Sequence, residues 1–157
     1  MIPTHFLFQL ADYEGIKIEW RDFNNIHGLY LHTPSLKNPV IALANNLHNN
    51  ERTLRCVLSH ELGHHFETAG HHVIAANSTS SIYATKNEML ATKWAVNLLI
   101  PTDVFLECVR DGMGGQELCN YFYVLPEYII HKVKLLHKDT KLTDTIAELN
   151  TSYNVYF

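Results

Sequence analysis

Residues 55–67 read RCVLSHELGHHFE and contain the pattern H-E-x-x-H from His60 to His64. In a helix these two histidines lie four residues apart, which is one turn plus about 40°, so both imidazoles leave the same face. The two rings can therefore bind one metal ion. Glu61 stands beside that face, where a general base for a water ligand of the metal has to lie. The spacing thus predicts two metal ligands and a base.

The residues around the motif predict that this stretch is helical. Asn50 followed by Glu51 is typical of a helix N-terminus. An apolar stripe recurs every four residues on the side opposite the histidines, at Leu54, Leu58, Leu62 and Phe66. Gly63 costs a helix roughly 1 kcal/mol relative to alanine, which suggests that substrate backbone or a neighbouring strand approaches there. The alternative is a surface helix with titrating histidines.

Three short apolar segments precede the motif, at residues 16–23, 27–32 and 40–44. The first two alternate apolar and polar residues, as half-buried strands do, and the third is the uniformly apolar VIALA. The links between them are short. We therefore expect an α+β fold, with a small three-stranded, mostly antiparallel sheet packed on the H-E-x-x-H helix and an all-helical C-terminal part.

A polar stretch and a second strong helix follow the motif. Residues 70–84 predict a loop that could lie over the site, and residues 86–100 predict a helix ended by Pro101. Glu88, near the start of that helix, has two interpretations left open by spacing alone. It could be a third metal ligand, or a first-turn acid that interacts with the helix dipole.

Three further histidines lie close to the motif in sequence. His71 and His72 are disfavoured as ligands, because adjacent residues do not easily converge on one ion. His65 is interpreted as a hydrogen-bonded histidine on the flank of the helix.

Composition limits the class of protein. With 157 residues, 46% of them hydrophobic, the chain can bury a core without needing a metal or disulfide bonds. Its formal charge of −4 argues against general nucleic-acid binding and gives no membrane-attracting surface. No signal peptide or membrane-spanning run is evident, so we expect a cytoplasmic protein with no membrane partner. The three cysteines are expected to be reduced thiols in the core.

The motif and the helix after it resemble the ImmA/IrrE family of small metallopeptidases, the IrrE N-terminal-like domain. RTLRCVLSHELGHHF is followed by NEMLATKWAVNLLIP, which is similar to the family pattern E-x-x-A-N-x-F-A-x-x-L-L-x-P. The resemblance implies a gluzincin-type zinc site in which Glu88 is the third ligand beside His60 and His64. Thr92 stands where the family usually has Asn. Support of a ligand by this residue is therefore expected to be weaker.

The resemblance also covers the helical tail, and we place the domain boundary there. Residues 1–112 are predicted to form the zinc metallopeptidase core, and residues 113–157 a helix-turn-helix-like tail packed on it. Four lysines in the tail could contact DNA or form the solvated face of an amphipathic helix, and they are Lys132, Lys134, Lys138 and Lys141. We favour the solvated face, since the cluster contains no arginine, and expect no direct DNA binding.

We therefore expect a zinc-dependent endopeptidase. His60, His64 and Glu88 would bind the Zn²⁺ ion, and Glu61 would be the general base. The resemblance implies a specific protein substrate, a helix-turn-helix transcriptional repressor encoded nearby in a prophage or mobile element. The alternative is a regulatory protein that retains the metal site and binds a repressor or antitoxin without turnover.

Overall fold

A computed structural model describes residues 2–68 and 81–137 of the chain, with only the backbone of residues 81–85. The first half contains helix α1 (Thr4–Tyr13), strands β1 (Lys17–Arg21), β2 (Gly28–Leu31) and β3 (Val40–Ala44), a short 3₁₀ helix (Asn45–Asn49) and helix α2 (Glu51–Thr68). The remaining elements are helices α3 (Ser81–Leu99), α4 (Thr102–Arg110), α5 (Gly115–Phe122) and α6 (Pro126–His137). The predicted α+β class with a helical C-terminal part is confirmed.

The sheet has the strand order β1-β3-β2. Strand β1 runs parallel to β3, with Lys17 opposite Val40, and β2 runs antiparallel to it, with Leu31 also opposite Val40. The sheet is therefore mixed rather than mostly antiparallel. The reason lies in β3, whose Ile41 and Leu43 are fully buried. A uniformly apolar strand of this kind is most stable in the centre, with the more polar strands on either side.

Helix α2 contains the H-E-x-x-H motif and packs against β2, β3 and α1. Its start agrees with the sequence, because the Thr53 N–H donates to Asn50 Oδ1 over 3.1 Å. The predicted apolar stripe is buried at Leu58 and Leu62. Phe66, at the end of the stripe, is 38% exposed and stacks on Trp94 with ring centroids 4.8 Å apart.

The chain divides into two compact units, Ile2–Ala95 and a second unit that begins at Val96. The predicted boundary between residues 112 and 113 stays a prediction. Cys56, Cys108 and Cys119 are all buried, and none of the three forms a disulfide bond. Within residues 2–68 and 81–137, no single helix is both long and apolar enough to cross a membrane. Two consecutive helices that meet at a bend, Lys86–Leu99 and Thr102–Arg110, are long and apolar enough only when they are counted together.

Lys132 does not lie on a solvated basic face, contrary to our interpretation of the tail. Its side chain is buried, 1% exposed, and its ammonium group donates to Asn97 Oδ1 over 3.0 Å and to Thr102 Oγ1 over 2.8 Å. Burial lowers the pKa of Lys132 to about 8, against the opposing charge of Asp103. Lys134 is exposed, and Lys138 and Lys141 lie outside the described residues. The absence of DNA binding stays a prediction.

Candidate metal centre

Three side chains from α2 and α3 converge on one point. His60 Nε2 lies 3.2 Å from His64 Nε2 and 3.1 Å from Glu88 Oε2, and His64 Nε2 lies 3.2 Å from Glu88 Oε1. The two imidazole rings are nearly perpendicular, at 87°. Within the described part of the chain this is the one group of three or more His, Cys, Asp or Glu side chains that could hold a metal ion.

These distances fit a metal ion. Ligand atoms about 2.0–2.1 Å from a tetrahedral zinc ion lie about 3.3 Å from one another, which is close to the three separations here. Two imidazole nitrogens and one carboxylate oxygen are ligands that zinc commonly accepts. The Glu88 side chain is 55% exposed, so solvent reaches the group and can supply a fourth ligand. The residues present therefore fit a zinc ion with one open position.

The position of Glu88 removes one of the two interpretations that the spacing left open. Helix α3 begins at Ser81, five residues earlier than predicted, so Glu88 lies in its third turn rather than its first. A carboxylate that deep in the helix no longer interacts strongly with the N-terminal end of the dipole. Hydrogen bonds from His60 and His64 instead hold the pKa of Glu88 far below its usual value, although partial burial opposes this shift. This shift favours the ionised form of the carboxylate.

Glu61 lies beside this group and contributes none of its converging atoms. It is 7% exposed and packs against β2, where a backbone hydrogen bond from Tyr30 reaches its carboxylate. Burial raises the pKa of Glu61 to about 7, and the negative charge of Glu88 also raises it. The charge of His60 and the hydrogen bond from Tyr30 lower it. A carboxylate with such a pKa can accept and release a proton near neutral pH.

Gly28 on β2 makes room for Glu61. A Cβ atom at this position would lie 2.7 Å from Glu61 Oε1 and 2.6 Å from Val57 Cγ1. Sequence reasoning missed Gly28 and Tyr30 as neighbours of the site. A glycine inside a strand often marks a close approach of another group, so Gly28 was the signal available.

The three histidines close to the motif in sequence, His65, His71 and His72, fall into two groups. His65 lies within the described residues and is hydrogen-bonded, as predicted, because its Nδ1 pairs with the Tyr30 hydroxyl at 2.9 Å. Its Nε2 lies 3.5 Å from Glu14 Oε2. His71 and His72, with most of the predicted loop, lie outside the described residues.

Gly63 allows α2 and α3 to approach closely. A Cβ atom on Gly63 would meet the backbone of Ala91, at 2.9 Å from Cα and 3.0 Å from the carbonyl carbon, and even closer to the carbonyl oxygen. The room that the sequence indicated is therefore occupied by a neighbouring helix, rather than by a strand or by substrate. Because the histidines lie on α2 and Glu88 on α3, this contact sets the distance between the two histidines and Glu88.

We expect Gly63→Ala to destabilise the fold by up to about 2 kcal/mol. The alanine gains about 1 kcal/mol in helix propensity, but the added methyl group forces backbone to shift, and overpacking typically costs about 1–3 kcal/mol or more. Gly115→Ala is the matched control, because a Cβ there meets nothing within 4 Å. Denaturant unfolding of both variants checks this. A Gly63→Ala chain as stable as Gly115→Ala would show that the helices separate without cost.

Thr92 lies one turn after Glu88 and contacts His60. Its hydroxyl is 3.4 Å from His60 Nδ1, the ring nitrogen opposite the one directed at the metal position. A partner on this nitrogen fixes the tautomer and the orientation of the ring. At 3.4 Å the hydrogen bond is long, so the support is weak.

We expect Thr92→Val, which keeps the shape and removes the hydroxyl, to weaken zinc binding by up to about tenfold, the low end of the usual cost of losing such a partner. Thr92→Asn is the comparison variant and should bind zinc at least as tightly as the wild type. Competition with a chelator of known affinity measures both. Equal affinities of Thr92→Val and the wild type would mean that the hydroxyl does not support His60.

The fold and the site together define a class of protein. A histidine pair from an H-E-x-x-H helix, joined by a glutamate from the next helix and flanked by a buried glutamate, is typical of metallopeptidases. The family model for the IrrE N-terminal-like domain matches residues 11–134 of the 157 residues. The chain therefore belongs to this family of metallopeptidase type, and the resemblance seen in the sequence is confirmed. The chain matches no curated protein and no solved structure.

Proposed function

We propose that the chain is a zinc-dependent endopeptidase, with His60, His64 and Glu88 as ligands and Glu61 as the catalytic base. The observation that supports this most is the convergence of three ligand atoms, 3.1–3.2 Å apart, next to a buried carboxylate that is not among them. A metal site that served only the fold would be closed by a fourth protein ligand and would not need a base beside it.

Zinc at this position would supply a Lewis acid that polarises a peptide carbonyl and acidifies a water molecule. Glu61 accepts the proton of the attacking water on its carboxylate and donates it to the leaving amine. Its burial against β2 keeps the carboxylate desolvated, and the Tyr30 hydrogen bond orients it. His60 and His64 would hold the metal through the Nε2 atoms that their spacing on α2 directs to the same point.

Strand β2 offers a way to hold an extended peptide beside Glu61. Of the three described strands it is an edge strand, because it pairs only with β3. An extended segment of another protein can pair with such an edge through its backbone. The hydrogen bond between Tyr30 and Glu61 brings the base to this strand. A peptide paired with β2 would therefore lie close to the general base.

The proposed substrate is a helix-turn-helix transcriptional repressor encoded near this chain in a prophage or mobile element. The support for this substrate is the membership of the IrrE N-terminal-like family and the resemblance to ImmA-like members.

The test is co-expression of the chain with the small repressor of the adjacent gene, followed by mass spectrometry of the products. We expect one main cleavage with the wild type and none with His64→Ala. Co-purification of an intact repressor with a zinc-loaded wild-type chain would contradict the peptidase and support binding without turnover.

A further inference from the structure

Tyr30 joins strand β2 to helix α2 at two places. Its backbone hydrogen-bonds the Glu61 carboxylate, and its hydroxyl lies 2.9 Å from His65 Nδ1. Glu61 and His65 are four residues apart, so they lie on the same face of α2, about 6 Å apart along the helix axis. One tyrosine therefore spans a full turn of the helix that carries the proposed base.

The strand and the helix have matching spacings at this contact. Gly28 and Tyr30 are two residues apart on β2, so their side-chain positions share a face and lie about 6.6 Å apart. A Cβ atom on Gly28 would lie 2.7 Å from Glu61 Oε1, which places this face of the strand against α2. Gly28 therefore contacts the turn at Glu61, and Tyr30 contacts the next turn at His65.

The hydrogen bonds of the sheet explain why the Tyr30 N–H reaches Glu61. The Ala44 N–H donates to the His27 carbonyl over 2.9 Å, so these two opposite residues form a hydrogen-bonded pair. Such pairs alternate with pairs that share no hydrogen bond along an antiparallel ladder, and Tyr30 opposite Ile41 is of the second kind. The Tyr30 N–H therefore points away from β3, and Glu61 accepts it.

The second ring nitrogen of His65 faces Glu14, next to the end of α1. His65 Nε2 lies 3.5 Å from Glu14 Oε2. Because a carboxylate accepts hydrogen bonds, this contact favours a proton on Nε2 and leaves Nδ1 as an acceptor. Burial raises the pKa of Tyr30, which keeps its hydroxyl protonated. The hydroxyl therefore donates to His65 Nδ1.

We propose that the Tyr30 hydroxyl and His65 are positioning groups that hold Glu61 for catalysis by fixing the register of β2 on α2. This inference rests on the proposed function, in which Glu61 is the base. Without the hydroxyl, the strand can shift along the helix, and the N–H that orients the Glu61 carboxylate shifts with it. A displacement of about 1 Å can cost about 100-fold in rate, so a smaller shift is enough to slow proton transfer.

The experiment compares Tyr30→Phe with the wild type in the zinc-loaded, full-length chain. Phenylalanine keeps the ring and the backbone N–H and removes only the hydroxyl. We expect kcat for cleavage of the adjacent repressor to fall about tenfold and KM to stay within about twofold, because β2 keeps the backbone groups that would bind the peptide. Zinc content should not change. Tyr13→Phe is the matched control, because Tyr13 is 86% exposed, and it should cleave like the wild type.

Combination with Glu61→Gln separates positioning from a general loss of folded protein. In that background Tyr30→Phe should lower the residual rate no further, because the group that it positions is already absent. His65→Leu, which removes the acceptor, should cause the same loss as Tyr30→Phe and add nothing to it. Wild-type kcat in Tyr30→Phe, or an equal loss of rate with and without Glu61, would overturn the proposal.

Hydrogen exchange of the amide at position 30 tests the same contact without cleavage. We expect this amide to exchange about tenfold faster in Tyr30→Phe, roughly the effect of losing one hydrogen bond, while the Ile41 amide on β3 keeps its rate. An unchanged rate at position 30 would overturn the proposal. Faster exchange in a chain whose wild type cleaves no repressor would support the fixed register and contradict the proposed function.

Discussion

Glu61→Gln is expected to lose most peptide cleavage while it keeps the metal. The amide has nearly the same shape as the carboxylate but cannot accept a proton from water, and removal of a general base typically costs about 10²- to 10⁴-fold in rate. The three proposed ligands are untouched, because no atom of Glu61 belongs to the converging group. The measurement is the rate of cleavage of the adjacent repressor, together with the zinc content of the same preparation.

Glu67→Gln is the matched control for this variant. Glu67 lies on the same helix and is exposed, so the same change of charge there should leave both cleavage and zinc content unchanged. If Glu61→Gln cleaves as fast as Glu67→Gln, Glu61 is not the base. If Glu61→Gln releases zinc as readily as a ligand variant does, the separation of base from ligands is wrong.

Glu88→Gln is expected to lose the metal, in contrast to Glu61→Gln, which should keep it. A neutral amide is a much poorer zinc ligand than a carboxylate, and its carbonyl oxygen no longer balances the charge of the ion. We expect zinc affinity to fall by more than the roughly 10- to 100-fold that loss of a supporting hydrogen bond typically costs. Cleavage should fall with the metal content and recover in part when zinc is added in excess. Titration with a chelator of graded affinity measures the first effect.

One result would contradict the assignment of Glu88 as a metal ligand. A Glu88→Gln chain that retains both zinc and activity at wild-type levels would place the third ligand elsewhere. The first residues to replace would then be His71 and His72, which lie outside the described residues. Gln at position 88 can still hydrogen-bond the histidines, so this comparison tests coordination rather than the packing of α3.

The sequence predicted the H-E-x-x-H helix well because its information is local. The spacing of His60 and His64, the cap at Asn50 and the apolar stripe all act within a few turns of one helix. The segment VIALA also predicted β3 with the observed bounds. Its uniformly apolar character favoured a central strand, and this signal could have indicated that β1 and β2 do not pair with each other.

Other features depend on residues distant in sequence and could not be derived from local patterns. Gly63 showed that something needs room, but only the position of Ala91 shows that it is helix α3. Lys132 lies on the apolar side of α6, yet a lysine there can either extend its amine to solvent or bury it. The buried amine is stabilised by hydrogen bonds to Asn97 and Thr102, which are 35 and 30 residues away in the sequence.

The zinc content of the purified chain tests whether His60, His64 and Glu88 hold a metal. The full-length chain, purified without chelator, is to be compared by elemental analysis with His60→Ala and His64→Ala. We expect about one zinc per chain for the wild type and loss of that zinc in both variants, because each removes one of the three proposed protein ligands. A wild-type chain with no stoichiometric divalent metal, or histidine variants that keep the full zinc content, would contradict this expectation.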